Sequence, residues 1–171
     1  MEEMLDVYDR QGNFLGVKSR SYCHTEGVDC YHKCVWIWIS DGKGRFLVQR
    51  RSEQKKFMPG LWDMPSAGHI DSGEKPIDAC VRETEEELGI RFSPDAFRFM
   101  GEICSESLHE FGQVYLLIAD IPTRDIKLSF DEVAEIKWLS FEEFKALVYS
   151  DRFVPHDPSY KQFVIDMLSN V

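Results

Sequence analysis

The sequence predicts an α+β fold in which a mixed β-sheet lies between helices, an α/β/α sandwich. Strand-like apolar runs alternate with three segments of helical periodicity, and most of the spacings between strands are those of hairpins. The chain has 171 residues, of which 43% are hydrophobic, so it is long and apolar enough for one domain with its own core. We therefore expect a single domain over residues 1–171.

The strands begin with two predicted hairpins. Residues 5–8 and 14–17 flank a polar turn, and residues 34–39 and 45–49 are β-rich runs on either side of an Asp-Gly-Lys-Gly turn. Further strands are predicted at residues 64–68, 97–104, 113–119 and 134–139. Together these segments supply the predicted mixed sheet.

Three segments carry the signals of helices. Pro76 suits the first turn of a helix over residues 76–88. Ser140 and Glu143 match the Ser-x-x-Glu capping box at the start of a second helix. Residues 158–169, again with a proline near the start, predict a closing helix.

The overall charge excludes whole classes of partner. Lys and Arg number 20 against 30 Asp and Glu, which leaves a net charge of −10. Such a surface repels phosphate backbones and anionic lipid, so we expect no nucleic acid polymer and no membrane as partner. No apolar run is longer than that of residues 114–119, which is far shorter than the roughly 20 residues of a spanning helix.

The N-terminus and the cysteines predict a cytoplasmic protein. Residues 1–4 are acidic where a signal peptide is basic. The cysteines number five and lack the rhythm of a disulfide framework, so we expect reduced thiols.

The predicted helix over residues 76–88 concentrates like charges. Glu83, Glu86 and Glu87 crowd one stripe at spacings of three and four residues, beside an apolar face. Repulsion makes this arrangement mildly destabilising, and a divalent cation such as Mg²⁺ would remove the repulsion. On charge pattern alone, a solvated acidic face is the favoured alternative.

The residues around the stripe decide between these readings. Over residues 68–90 the chain resembles the Nudix box, G-x5-E-x7-R-E-U-x-E-E-x-G-U, where U is apolar. The fixed positions are Gly68, Glu74, Arg82, Glu83, Glu86, Glu87 and Gly89. Thr84 departs from the pattern at a U position, on the buried side of the helix, where it affects packing and not metal chemistry. The resemblance implies the Nudix fold, with the box as a loop, a helix and a loop.

The resemblance extends over most of the chain. Residues 47–52, 59–63, 67–69 and 135–141 are similar to the branch of Nudix proteins close to isopentenyl-diphosphate isomerase. The implied metal ligands, for Mg²⁺ or Mn²⁺, are Glu83, Glu86, Glu87 and the carbonyl oxygen of Gly68. The same carboxylates would carry catalysis, with Glu86 or Glu87 as the base, or else Glu106 or Glu110 from a loop.

The resemblance also implies roles for basic and structural residues. Arg51 and Lys55 match positions that contact diphosphate, and His69 is expected among the substrate-binding residues. Arg82, Glu74 and Gly89 are expected to support the box structurally. In the isomerase, the positions of His32 and His69 hold metal-ligating histidines, and whether either binds metal in this chain is left open.

Two side features favour structural readings. Cys30, His32 and Cys34 alternate along one strand, but their spacing matches no standard zinc pattern, and alternate residues of one strand do not wrap easily around one ion. Trp36, Trp38 and Trp62 have the residue type that stacks on a nucleobase, yet core or rim positions are the more common use.

The implied function is metal-dependent hydrolysis of a diphosphate linkage in a nucleoside diphosphate derivative or another small organic diphosphate. The alternatives are isomerisation of isopentenyl diphosphate and a non-catalytic sensor of a diphosphate ligand. Ala67 and Gln113 stand where the isomerase would need a cysteine and a glutamate, which argues against the first. The expected specificity loops, residues 20–33 and 104–112, carry no code for one substrate, and a homodimer is common in the family.

Overall fold

β3 (Tyr31–Ser40) is the central strand of the sheet and is buried on both faces. Successive side chains of a strand point to opposite faces, so Trp36 and Trp38 join one apolar cluster, whereas Val35 and Ile37 join another. The first cluster is covered by α3 (Phe141–Val148) and α4 (Pro158–Leu168), and the second by α2 (Pro76–Leu88). The helices therefore enclose the sheet from both sides, as the sequence predicts.

The computed structural model describes residues 2–25 and 27–171. Met1, part of the acidic N-terminal segment, and Glu26, part of the first expected specificity loop, lie outside the described residues. The remaining strands are β1 (Met4–Tyr8), β2 (Phe14–Ser19), β4 (Arg45–Arg51), β5 (Trp62–Asp63), β6 (Ser66–His69), β7 (Phe97–Ser105), β8 (Glu110–Ile118) and β9 (Val133–Ser140). A short helix, α1 (Arg20–Cys23), and two 3₁₀ turns, Pro94–Ala96 and Thr123–Asp125, complete the elements and were not predicted.

The predicted antiparallel pairing of β3 with β4 is confirmed next to the turn but does not continue along the strands. The two strands share only the pair Ser40 with Phe46, after which β4 leaves to pair with β9. The Asp41 carboxylate accepts hydrogen bonds from the N–H groups of Lys43 and Arg45, at 2.8 and 2.9 Å, and fixes this turn. β3 instead pairs antiparallel with β6 on one side and parallel with β8 on the other. Turn chemistry predicted the turn and the two strands it joins, but not how far those strands stay paired.

Helix ends follow the predicted capping. α2 starts at Pro76 and ends before Gly89, whose φ of 68° is the left-handed conformation that glycine adopts readily. Ser140 and Glu143 form the predicted capping box at the start of α3. Within the described residues, no helix is both long and apolar enough to cross a membrane.

Candidate active site

The site forms where β6 passes against α2. A Cβ atom at position 68 would overlap the carboxylate of Glu83, so the helix can approach the strand this closely only because residue 68 is glycine. Gly68 pairs with Val35 in the middle of the sheet, which fixes the height of the strand beneath the helix. The close approach places the Glu83 carboxylate directly against the backbone of the strand at Gly68.

Arg82 is the hub of hydrogen bonds that holds the loop between β6 and α2. Its guanidinium donates to both carboxylate oxygens of Glu74, at 3.0 and 2.8 Å, and to the carbonyl oxygen of His69 at 2.9 Å. It also donates to Glu83 at 2.5 Å and lies 3.6 Å from Glu86. Glu74 in turn accepts from the N–H of Asp71 at 3.0 Å. Bidentate Arg–carboxylate pairing of this kind fixes geometry as well as charge.

Glu87 is the most buried of the three helix carboxylates, with 8% of the residue exposed. The backbone N–H of Ala67 donates to it at 3.2 Å. Burial, reinforced by the negative charge of Glu83, raises the pKa of Glu87 to about 8. A charged Glu87 is therefore costly in the metal-free protein.

Glu83 and Glu86 continue the site outwards. The Glu83 side chain is 12% exposed, and burial raises its pKa to about 7 against the opposing effect of Arg82. The Glu86 side chain is 59% exposed. The three carboxylates therefore run from the interior to the solvent along one side of α2, open at one end to a ligand.

These carboxylates fit a hard divalent cation. Two of them are buried in surroundings that disfavour their charged form, and a cation would offset that cost directly. Oxygen ligands from a few carboxylates, completed by water and phosphate, are the preference of Mg²⁺. The donor set thus agrees with the metal that the sequence pattern implies.

Thr84, the departure from the box, is accommodated inside the helix. It is fully buried, and its hydroxyl donates to the carbonyl oxygen of Cys80 at 2.9 Å. The polar atom is satisfied without disturbing the neighbouring carboxylates, because hydroxyls of this type bond readily to a carbonyl four residues earlier.

Arg51 and Lys55 are both largely shielded from solvent, but they make different contacts. Arg51 is 17% exposed, and it donates to Asp63 at 3.2 Å and to the carbonyl oxygens of Phe57 and Met58 at 2.9 to 3.2 Å. It therefore clamps the loop that follows β4. Lys55, in that loop, forms an ion pair with Glu132, and its positive charge lowers the pKa of Glu87. Lys55 is thus the cation whose field reaches the buried carboxylate.

Glu106 and Glu110, the two glutamates that were considered as alternative bases, contact other residues. Glu106 is exposed and binds Arg10 and the hydroxyl of Tyr31, at 2.9 and 2.7 Å. Glu110 lies 3.6 Å from His32 at the start of β8. Of the described residues, neither of these two hydrogen-bonds or ion-pairs with the carboxylates of α2.

The tryptophan side chains serve mainly to form the hydrophobic core. Trp36 and Trp38 are buried in the core, and Trp38 donates from Nε1 to the hydroxyl of Tyr160 at 3.0 Å. Trp62 is partly exposed, with the ammonium of Lys137 4.9 Å from its ring centroid. Trp36 and Trp38 are therefore closed to a nucleobase, in line with the structural reading.

A second cluster was missed as a unit by the sequence analysis. Its members are His32, Cys34, His69 and Glu110, whose ligand atoms all lie within 4.8 Å of one another. Considered along the sequence, only His32 and Cys34 are close, and one strand cannot surround an ion. The other two members come from strands on either side of β3. Alternation of His and Cys on a buried central strand was the available signal.

Comparisons with known proteins show a family match and a shared fold. Residues 31–163 match the model of the NUDIX domain family. An uncharacterised Nudix hydrolase of Yersinia pestis is 34% identical over 90% of this chain and 80% of its own length. Nudix hydrolase 3 of Arabidopsis thaliana is 34% identical over 91% of this chain, which spans only 22% of that longer protein. DR0079 from Deinococcus radiodurans has the same fold, with a TM-score of 0.75 at 21% identity and 98% coverage of both chains.

Proposed function

Because this chain belongs to the Nudix hydrolase family, we propose that it hydrolyses the diphosphate linkage of a nucleoside diphosphate derivative or another small organic diphosphate. The observation that carries the proposal is the graded line of carboxylates on α2, of which Glu87 and Glu83 are buried with raised pKa values. Buried carboxylates with perturbed pKa values beside a close backbone approach are typical of functional sites.

The proposed ligands of Mg²⁺ or Mn²⁺ are Glu83, Glu86, Glu87 and the carbonyl oxygen of Gly68. A bound divalent cation neutralises the diphosphate and makes its phosphorus more electrophilic. Glu86 or Glu87 accepts the proton of the attacking water. The oxygen of that water bonds to phosphorus, and the bond from phosphorus to the bridging oxygen breaks, which leaves two phosphate-bearing products.

The residues around the carboxylates have supporting roles in this proposal. Arg82 holds Glu83 in place and ties it to the loop through Glu74. Lys55 binds a phosphate of the substrate, exchanging its contact with Glu132 for the ligand. Arg51 contributes through the position of the loop that carries Lys55, since its own donors are used by Asp63 and by carbonyl oxygens. The protein acts on a small molecule in the cytoplasm, and a homodimer is the assembly we propose.

Two alternatives are separated by their chemistry. A sensor that binds a diphosphate without turnover has no need of the full set of box carboxylates. An isomerase needs an acid and a base on opposite faces of a double bond. The methyl group of Ala67 has no acidic proton to donate. Hydrolysis is the reaction that uses the residues present.

A product screen tests the proposal. Diphosphate compounds are incubated with the protein and Mg²⁺ or Mn²⁺, and phosphate is measured directly for compounds with a terminal diphosphate. For internal diphosphates, an added phosphatase converts the newly exposed terminal phosphates. We expect cleavage of at least one compound by the wild type, lost in excess chelator and in Glu86→Gln. Equal cleavage by that variant and the wild type would contradict the proposed site.

A further inference from the structure

Three polar side chains from distant parts of the chain meet behind the β4–β5 loop (residues 52–61), the loop that carries Lys55. Nε2 of His156 lies 3.1 Å from Oδ1 of Asp63, and Nη1 of Arg51 lies 3.2 Å from Oδ2 of the same carboxylate. Asp63 and His156 are buried. Arg51 is the last residue of β4 and Asp63 the last of β5, whereas His156 lies between α3 and α4. The contact therefore joins the C-terminal part of the chain to the two strands that bound the loop.

The ionisation of Asp63 determines where the hydrogen atoms of this contact lie. Burial alone would raise the pKa of the Asp63 carboxyl group, but the hydrogen bond with His156 and the charge of Arg51 outweigh it, so the pKa is lowered. An ionised carboxylate only accepts hydrogen bonds, so Nε2 of His156 must donate. The N–H of Met64 also donates to Asp63, at 2.9 Å. Loss of one donor would leave a buried charge with too few partners, which is costly.

Arg51 passes this constraint to the backbone of the β4–β5 loop. Its guanidinium donates to the carbonyl oxygen of Phe57 at 2.9 Å and to that of Met58 at 3.1 Å. The φ angle of Met58 is 49°, in the left-handed region that residues other than glycine rarely adopt. Such a conformation costs free energy and persists only where the surrounding contacts hold it. The orientation of the Arg51 guanidinium, fixed by Asp63, therefore helps to hold residues 57 and 58 in place.

Lys55 lies in the same loop, two residues before Phe57. On one side of Lys55, its N–H donates to the carbonyl oxygen of Ser52 at 3.2 Å. On the other side, the loop is tied by the contacts of Arg51 with Phe57 and Met58. Surface loops move unless their backbone is tied in this way. The position of the Lys55 ammonium therefore depends on both ties.

We propose that His156 is a positioning residue for the β4–β5 loop and acts through Asp63 and Arg51. His156 donates to Asp63, Asp63 orients the guanidinium of Arg51, and the guanidinium holds the backbone of residues 57 and 58. The consequence for catalysis rests on the proposed function, in which the Lys55 ammonium binds a phosphate of the substrate. A loop that is ordered before the substrate arrives does not have to be ordered on binding, so the loss of His156 should weaken substrate binding.

Two substitutions at position 156 separate the hydrogen bond from the packing. His156→Gln keeps an N–H donor for Asp63, whereas His156→Leu keeps apolar bulk and removes the donor. Tyr160→Phe is the matched control, because Tyr160 is buried with its ring 4.9 Å from that of His156. The hydroxyl of Tyr160 accepts from Nε1 of Trp38, so its removal should lower the melting temperature while the donor to Asp63 stays in place.

Limited digestion by trypsin measures the state of the loop without any substrate. Trypsin cuts after Lys and Arg, so cleavage after Lys55 or Lys56, identified by mass spectrometry, measures local opening. The digestion is run at a temperature at which each variant is folded by circular dichroism. We expect cleavage at least about tenfold faster in His156→Leu than in the wild type, and within about twofold of the wild type in His156→Gln and Tyr160→Phe. Asp63→Asn should resemble His156→Leu and serves if that variant does not fold.

Steady-state kinetics test the link to Lys55 on a substrate from the screen. His156→Leu should raise KM at least about threefold, with a smaller change in kcat. The same substitution should add nothing to the KM of Lys55→Ala, because both changes act on one group. Effects on KM that add would show that His156 does not act through Lys55, and would contradict the proposal.

The digestion also separates this proposal from the proposed function. A wild type that cleaves no diphosphate would refute the proposed function, and the rates of digestion would still decide the role of His156. Unchanged cleavage of the loop in both His156→Leu and Asp63→Asn would overturn that role. Equally fast cleavage in Tyr160→Phe and His156→Leu would overturn it too, because the loop would then respond to any loss of core stability.

Discussion

The backbone N–H of Ala67 donates a 3.2 Å hydrogen bond to the carboxylate of Glu87, twenty residues further along the chain. This contact joins β6 to α2 and holds a buried carboxylate beside the strand that carries Gly68. Its geometry depends on how closely the helix packs on the strand. Several consequences of this packing can be measured.

The first consequence concerns Gly68. In Gly68→Ala the new methyl group would overlap the Glu83 carboxylate, so we expect Glu83 to be displaced from the site. The affinity for Mg²⁺ should fall at least about tenfold, the effect typical of disturbing a metal's support. Isothermal titration calorimetry measures this loss, and Ala67→Gly on the same strand is the control. Unchanged Mg²⁺ affinity in Gly68→Ala would show that the close approach serves packing only.

The second consequence concerns pH. Burial raises the pKa of Glu83 to about 7 and that of Glu87 to about 8, and metal binding needs both groups ionised. Mg²⁺ affinity should therefore rise from pH 6 to pH 8 and level off above about pH 8, with release of protons. Calorimetry in buffers of different ionisation enthalpy counts those protons. If the affinity for Mg²⁺ did not depend on pH over this range, the raised pKa values of Glu83 and Glu87 would be contradicted.

The same pKa values predict the stability of the metal-free protein. Both groups have folded-state pKa values above the unfolded value, so the folded state holds more protons between about pH 4.5 and pH 8. Their contribution to stability is complete at low pH and is lost as the pH rises through 7 and 8. The melting temperature in chelator should fall over this window. In Glu87→Gln the fall should be smaller, because the amide does not titrate.

A further prediction separates the two basic residues near the site. Lys55→Ala should raise KM more than it lowers kcat, since an ammonium that binds phosphate acts alike in ground and transition states. Arg51→Ala should also raise KM, but with a lower melting temperature, because it leaves Asp63 without one partner and frees the loop carbonyls. Steady-state kinetics and thermal unfolding of both variants make the comparison. A lower kcat with an unchanged KM in Lys55→Ala would contradict this prediction, because it would show that the Lys55 ammonium stabilises the transition state more than the bound substrate.

Isomerase activity should be absent. Ala67 offers no proton, and Cys104, on β7, is separated from β6 by β8 and β3. The amide of Gln113 is bound to Glu102 at 3.0 Å and is no base. We expect no deuterium to enter isopentenyl diphosphate from heavy water with Mg²⁺ or Mn²⁺ present. Incorporation above background that Glu87→Gln abolishes would overturn the choice of hydrolysis.

Local patterns in the sequence predicted most of the elements but not all of their partners. Capping at Ser140 and the proline at the start of α2 act within a few residues, so they can be read directly. The pairing of β3 with β6 and β8 could not be predicted in this way, because those strands approach β3 from distant parts of the chain. The cluster of His32, Cys34, His69 and Glu110 was missed for the same reason.

The carboxylates of α2 show a similar limit. Their spacing placed them on one stripe of a helix, but the difference between exposed Glu86 and buried Glu87 depends on the strand beneath. The role of Arg51 likewise depends on contacts with Asp63 and the following loop. The spacing of the residues therefore predicts which residues belong to the site, but not how deeply each of them is buried.

The most direct test compares two neighbouring glutamates of α2 on the best substrate from the screen. Glu87 lies in the proposed site, whereas Glu85 is exposed and pairs with Arg91 at 2.5 Å. We predict that Glu87→Gln lowers kcat at least about 100-fold, with its fold intact by circular dichroism, and that Glu85→Gln keeps near-wild-type kcat. Equal kcat for Glu87→Gln and the wild type at saturating Mg²⁺ would contradict the proposed active site.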